Sequence, residues 1–321
     1  MNPACHIALF CEEVSWQIAR VSGLFNQAQN EHNMARNQIR TLLLSSFLFA
    51  SLTACNVAEP EPDKEIAPGV RLVAHISDPR ITESSGVIAS RRYPNVFWTH
   101  NDGGGPKKQV LYAIDRGGKT RAAFPVVGPR FHDWEDIAID DAGHLYLGDI
   151  GNNDSREDKL AVYEIDEPDP MSGTGSISPN RGWTLKFPGA PFDCESLFIW
   201  KNYGYVISKV FDNARAQVFR FPLENTNEPL TLELVATTKI ESPVTGADIS
   251  ADGNLLGLVS KAGAYVYRID GDVARVTDIE PHYTKLTGQH IEGCCFVPDG
   301  LLATSERRNV FLFTDPAFCG K

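Results

Sequence analysis

The chain has no apolar run long enough to cross a membrane. Its most hydrophobic stretch, residues 41–52, is about a dozen residues long, short of the roughly 20 a spanning helix needs. After residue 55 no Lys/Arg cluster exceeds a pair, which argues against nucleic acid as a partner. No Cys-x-x-Cys or His-rich spacing suggests zinc, and no Gly-x-Ser-x-Gly marks a nucleophile elbow. The run Gly103-Gly-Gly105 lacks the Lys-Ser/Thr and the helix of a phosphate loop. Helical periodicity of useful length is missing after Leu52, so the folded part is built from something else.

What is present begins with an export signal. Residues 34–54 join a basic segment with Arg36 and Arg40, the short apolar stretch, and small residues before Cys55. Leu52-Thr53-Ala54-Cys55 resembles the bacterial lipobox, whose Cys is lipidated and becomes the new N-terminus. That resemblance implies a lipid anchor at Cys55; an ordinary secretory signal with a chance Cys is the alternative. A residue other than Asp after the Cys implies the outer membrane of a Gram-negative cell envelope. A signal does not work well behind a polar leader, so residues 1–33 are expected to be an upstream mis-start. Residues 55–69 are acidic and proline-bearing, and are expected to be a tether. Residues 70–321 then form a single domain.

Three acids and three bases precede Cys55, so the net charge of −11 belongs wholly to the chain from Cys55 onward. Cys194, Cys294, Cys295 and Cys319 allow three full pairings, and export permits disulfides. A bridge from Cys319 to one of the adjacent pair is expected. Neighbours on a strand face opposite ways, so at most one of the two can meet Cys319.

Self-similarity decides the fold class. Five segments share one plan of an acidic or small lead-in, a short apolar strand, a turn, a second strand and an aromatic-bearing third. Their first strands start near residues 83, 133, 193, 245 and 290. Fourth strands fit residues 120–127, 183–187, 230–240 and 273–279, but the fifth unit has no room for one. Residues 70–76 are expected to supply it and close a ring. The reading is an all-β propeller of five four-stranded blades. A sixth, degenerate blade within residues 167–191 stays open, though that stretch reads better as a loop. A β-sandwich is the main competing fold.

The motifs Glu83-Ser-Ser-Gly, Trp98-Thr-His-Asn-Asp102, Asp133-Trp-Glu-Asp-Ile-Ala138 and Gly148-Asp-Ile-Gly-Asn-Asn153 resemble a family of secreted bacterial propellers of largely undefined function. Cys-Glu-Ser-Leu at 194–197, Val244-Thr-Gly-Ala-Asp-Ile-Ser250 and Thr304-Ser-Glu306 extend the likeness. More distantly, the repeated acid-small-apolar lead-in looks like that of gluconolactonase and esterase-like phytase propellers, which implies metal-dependent hydrolysis. Those are usually six-bladed, where this chain shows five units.

In a propeller the start of each innermost strand and the end of the second strand meet at one channel mouth. That places Glu83, Glu135, Glu195 and Glu292 with Asp102 and Asp149, an oxygen-rich set suited to calcium. Asn101, Asn152, Lys209, Lys261 and Glu306 join them as candidate ligand contacts. For hydrolysis of a lactone, ester or phosphate ester, Asp149 or Glu135 is the candidate base and His100 a second proton carrier. Equally, each acid could cap a strand end, and His100 could be structural. The expected partners are a small molecule or an envelope protein. Trp98, Trp134, Tyr146, Tyr163 and Tyr265 read as packing between blades.

Overall fold

The computed structural model describes residues 63–173, 175–211 and 214–319. The signal segment, Cys55 and the tether as far as residue 62 lie outside the described residues. The first strands are β1 (Lys64–Ala67) and β2 (Val70–His75). Blade one is β3 (Ser84–Ala89), β4 (Phe97–Asn101), β5 (Val110–Ile114) and β6 (Thr120–Pro125). Blade two is β7 (Trp134–Ile139), β8 (His144–Asp149), β9 (Lys159–Asp166) and β10 (Arg181–Lys186). Blade three contains β11 (Cys194–Trp200), β12 (Tyr203–Ser208) and β13 (Gln217–Pro222), then the short β14 (Leu230–Thr231) and β15 (Glu233–Thr237). Blade four is β16 (Val244–Ile249), β17 (Leu255–Ser260), β18 (Gly263–Arg268) and β19 (His282–Lys285). Blade five is β20 (Ile291–Val297), β21 (Gly300–Ser305) and β22 (Asn309–Phe313).

Neighbouring strands within each blade run antiparallel, and the innermost strands β3, β7, β11, β16 and β20 touch in ring order. β7 and β16 are buried at every position, because both faces meet another blade. Outer strands keep a period-two pattern, as in β10, where Trp183 and Leu185 face in and their neighbours face out. The five-bladed propeller read from the repeats is what the chain forms. Trp98, Trp134 and Tyr146 are fully buried packing residues.

Closure is also as expected. β2 pairs antiparallel with β22, and Val70, Leu72, Ala74 and Ile76 are all buried. The tether, however, ends sooner than Gly69. Lys64–Ala67 pairs with β2 as a fifth strand, because Ile66 and Ala67 find apolar neighbours in blade five.

Two outer strands differ from expectation. Residues 273–279 contain a 3-10 turn, Val273–Thr277, capped by the Asp272 carboxylate, which accepts from the Ala274 N–H. Val273 and Val276 are three apart, so both face the core on one turn but not on one strand; β19 takes the outer place instead. Within residues 230–240, β14 leaves to pair in parallel with β10 of the preceding blade, while β15 completes blade three.

All four described cysteines are free, which corrects the expected bridge. Cys294 and Cys295 do face opposite layers, but the C-terminal turn Pro316–Cys319 sends Phe318 into the layer of Cys294. The Cys319 thiol donates to Asp315 O instead.

Candidate metal centre at the channel mouth

Each innermost strand carries a β-bulge at its start, where one extra residue is inserted opposite the second strand. A bulge re-aims the inserted side chain. The pairing register makes Ser85, Glu135, Glu195, Thr245 and Glu292 equivalent. Ser85 and Thr245 donate to backbone carbonyls of the next blade, Glu135 O at 2.6 Å and Ile291 O at 2.8 Å. The three glutamates have no such task, and they face the channel mouth.

Glu83 is not one of this ring. It lies two residues earlier, level with Asp133 and Asp193, is exposed, and pairs with Lys108 at 3.0 Å. Repeats aligned by their glutamates fall out of register by two in blade one, where Ser85 holds the bulge position.

The structure gathers Asp102, Asp133 and Glu135, with one carboxylate oxygen from each within 4.8 Å of the others. Asp102 directly follows β4, Asp133 precedes β7, and Glu135 is the bulge residue of β7. Glu135 is only 3% exposed, and among the described residues no hydrogen bond or ion pair reaches its carboxylate. Burial, then the charges of Glu195, Asp102 and Asp133, hold it well above the usual carboxylate range. Asp102 is raised by burial and by Asp133. Gly151 forms the wall: a methyl on its Cα would sit 2.4 Å from both Asp133 Oδ2 and Glu135 Oε1. Of these three acids the sequence reading names Asp102 and Glu135 as candidates but not Asp133. The spacing Asp133-x-Glu135 across an inward-facing Trp134 was the available signal.

Beside this trio, Glu195 gives one oxygen to Lys209, whose ammonium also lies 3.8 Å from Asp193. Glu195 Oε2 is buried without a hydrogen-bond partner. Burial lifts Glu195 to about 7 against the pull of Lys209. Further round, Lys261 pairs with Glu292 and lies 3.4 Å from Glu306, which His290 Nδ1 approaches at 3.2 Å. Burial lifts Glu292 to about 8 despite Lys261. Both lysines are thus held by acids of the same mouth, rather than waiting for an anion.

The remaining candidates are structural. Asn101 and Asp149 are equivalent second-strand ends. Asn101 Oδ1 accepts from the N–H groups of Thr82 and Glu83, at 2.8 and 3.1 Å. Asp149 Oδ1 accepts from those of His132 and Asp133, at 2.8 and 2.7 Å. Asp149 therefore caps a lead-in loop with Oδ1 and lies outside the carboxylate trio. Asn152 ties its loop to Glu157 N and O.

His100 is fully buried, stacked on Trp134 with centroids 4.0 Å apart. Its Nε2 accepts from the Gly86 N–H at 3.2 Å, which leaves Nδ1–H to donate to Asn101 O at 3.1 Å. Burial pushes its pKa down to about 3. A neutral imidazole with both nitrogens engaged is no proton carrier at neutral pH.

No family model matches this chain, and no curated protein does. Among solved structures, the chain is similar to one in a crystal structure of a mitotic checkpoint complex, at 15% identity. That alignment covers 79% of this chain and 68% of the other, with a TM-score of 0.36.

Proposed function

We propose that this is a lipid-anchored propeller of the bacterial cell envelope that binds a divalent cation, calcium first, at Asp102, Asp133 and Glu135. The observation that carries the proposal is Glu135, a buried carboxylate without a partner, aimed at two further acids. Three carboxylates drawn together raise one another's pKa values, and a cation relieves that cost. The donors are all oxygen, the preference of a hard ion, and Glu195 Oε2 stands ready on the same side. A cation held there would present open positions to the hydroxyl or carbonyl oxygens of a small ligand. The resemblance to secreted bacterial propellers and the lipobox-like run at Cys55 support the envelope location.

Calorimetry tests this with the chain from residue 56 onward, which holds every strand of the ring. After chelation, added calcium is expected to release or absorb heat and to raise the melting temperature. Glu135→Gln should abolish both responses while the cation-free protein melts higher, because an unpaired buried acid has gone. No heat and no melting shift in the parent would overturn the proposal.

A second reading, metal-dependent hydrolysis of a lactone, ester or phosphate ester, draws on Glu195, held at about 7 with one oxygen open. Turnover of such esters that chelation stops and calcium restores would favour it. The structural duties of Asp149 and His100 favour binding without catalysis, including service as an interaction platform.

A further inference from the structure

The opposite end of the channel has a different character. There β3, β7, β16 and β20 end around a cavity of about 400 Å³. Its walls are more apolar than polar, and Ile88, Ile139, Ile249, Leu255 and Phe296 are among the residues that line it. Pockets of roughly 300–1,000 Å³ with apolar walls and a few placed polar groups are the usual form of small-molecule sites.

Three charged side chains reach this cavity, and two are already committed. Asp248 accepts from Ile249 N–H with one oxygen and from Phe296 N–H with the other, both at 2.8 Å. Asp252 is taken up by its own turn, accepting from Ser250 Oγ, Asn254 N and Asn254 Nδ2 at 2.6–3.0 Å. Arg91 is the third. It is exposed, its charge acts on the nearby Asp248 carboxylate, and among the described residues no hydrogen bond or ion pair fixes its guanidinium. A planar fork of N–H donors at the edge of an apolar hole matches a carboxylate head with a hydrocarbon body.

We propose that this cavity binds a small amphipathic monoanion, its apolar body against Ile88, Ile139, Ile249 and Leu255 and its anionic head on Arg91. The proposal does not depend on the acidic mouth at the other end of the channel.

Octanoate and octanol are the probes, titrated into the chain from residue 56 onward by calorimetry. Octanoate should bind at least about tenfold more tightly than octanol, the scale of one charge-assisted pair. Arg91→Met should erase that difference and leave octanol binding unchanged; the side chain is exposed, so the fold is unaffected. Ala251→Trp, on an exposed turn at the rim, should weaken both probes. Chelation or added calcium should alter neither. Absence of heat with octanoate, equal binding of the two probes, or octanoate binding indifferent to Arg91→Met would each overturn the proposal.

Discussion

Gly151 is the residue through which the acidic mouth can be tested by a single methyl group. Its φ is not in the left-handed region; space alone demands glycine, since a Cβ would meet Asp133 and Glu135 at 2.4 Å. Gly151→Ala should therefore leave the fold intact and weaken calcium binding by tenfold or more, read by the calcium-induced melting shift. A second residue-level test lies outside the mouth. His144 Nδ1 lies 2.9 Å from Asp140 Oδ2, and that carboxylate raises the imidazole pKa, while Tyr146 OH also donates to Asp140. A folded pKa above the unfolded value adds stability below the unfolded value, about 6.5, and loses it as pH rises through the folded one. His144→Gln should then lower stability most at pH 5.5 and progressively less above pH 7. A gap in urea unfolding that does not change with pH would count against this pairing. At this scale the sequence was half legible. Asp102 and Glu135 could be placed because strand ends meet at one mouth. That Glu83 stands two residues before the bulge, and that Asp149 and His100 bond backbone groups, was not legible, because bulge register and backbone partners leave no mark in composition.

Among the elements, strands were legible wherever period-two burial repeats, as in β2 and β10. Val273 and Val276 misled because two apolar residues three apart fit either a short strand or a 3-10 turn. β2 carries the clearest consequence. Val70, Leu72 and Ala74 of the strand, with Ile76 just beyond it, are 0–2% exposed, and each such side chain contributes about 1–3 kcal/mol when buried. Deleting residues 56–62 should leave the melting temperature unchanged. Deleting through Pro68 removes β1 and exposes the edge of β2, a modest loss. Deleting through Ile76 strips blade five of its closing strand and should lower stability by several kcal/mol, a large part of a domain's usual total. Equal melting temperatures for the last two truncations would mean that β2 does not close the ring.

Residues 63–319 form a ring whose two mouths differ in chemistry. One gathers carboxylates, with Glu135 unpaired among them, and the other is largely apolar with Arg91, Asp248 and Asp252 at its wall. Between them, innermost strands are bonded blade to blade through Ser85, Asp136, Thr245 and Asp248. The seam where β2 meets β22 joins His75 to Asn309, 234 residues apart. A loop of that length costs little in stability, because closure entropy grows only logarithmically. It does impose an order of events. β2 is the second and β22 the last of the ring's described strands to be synthesised, so the circle stays an open arc until residues 309–313 have been made. For a chain exported as proposed, that delay is an advantage. The ring cannot close before residue 309 has been made, and a chain that must be threaded through a membrane stays threadable until then.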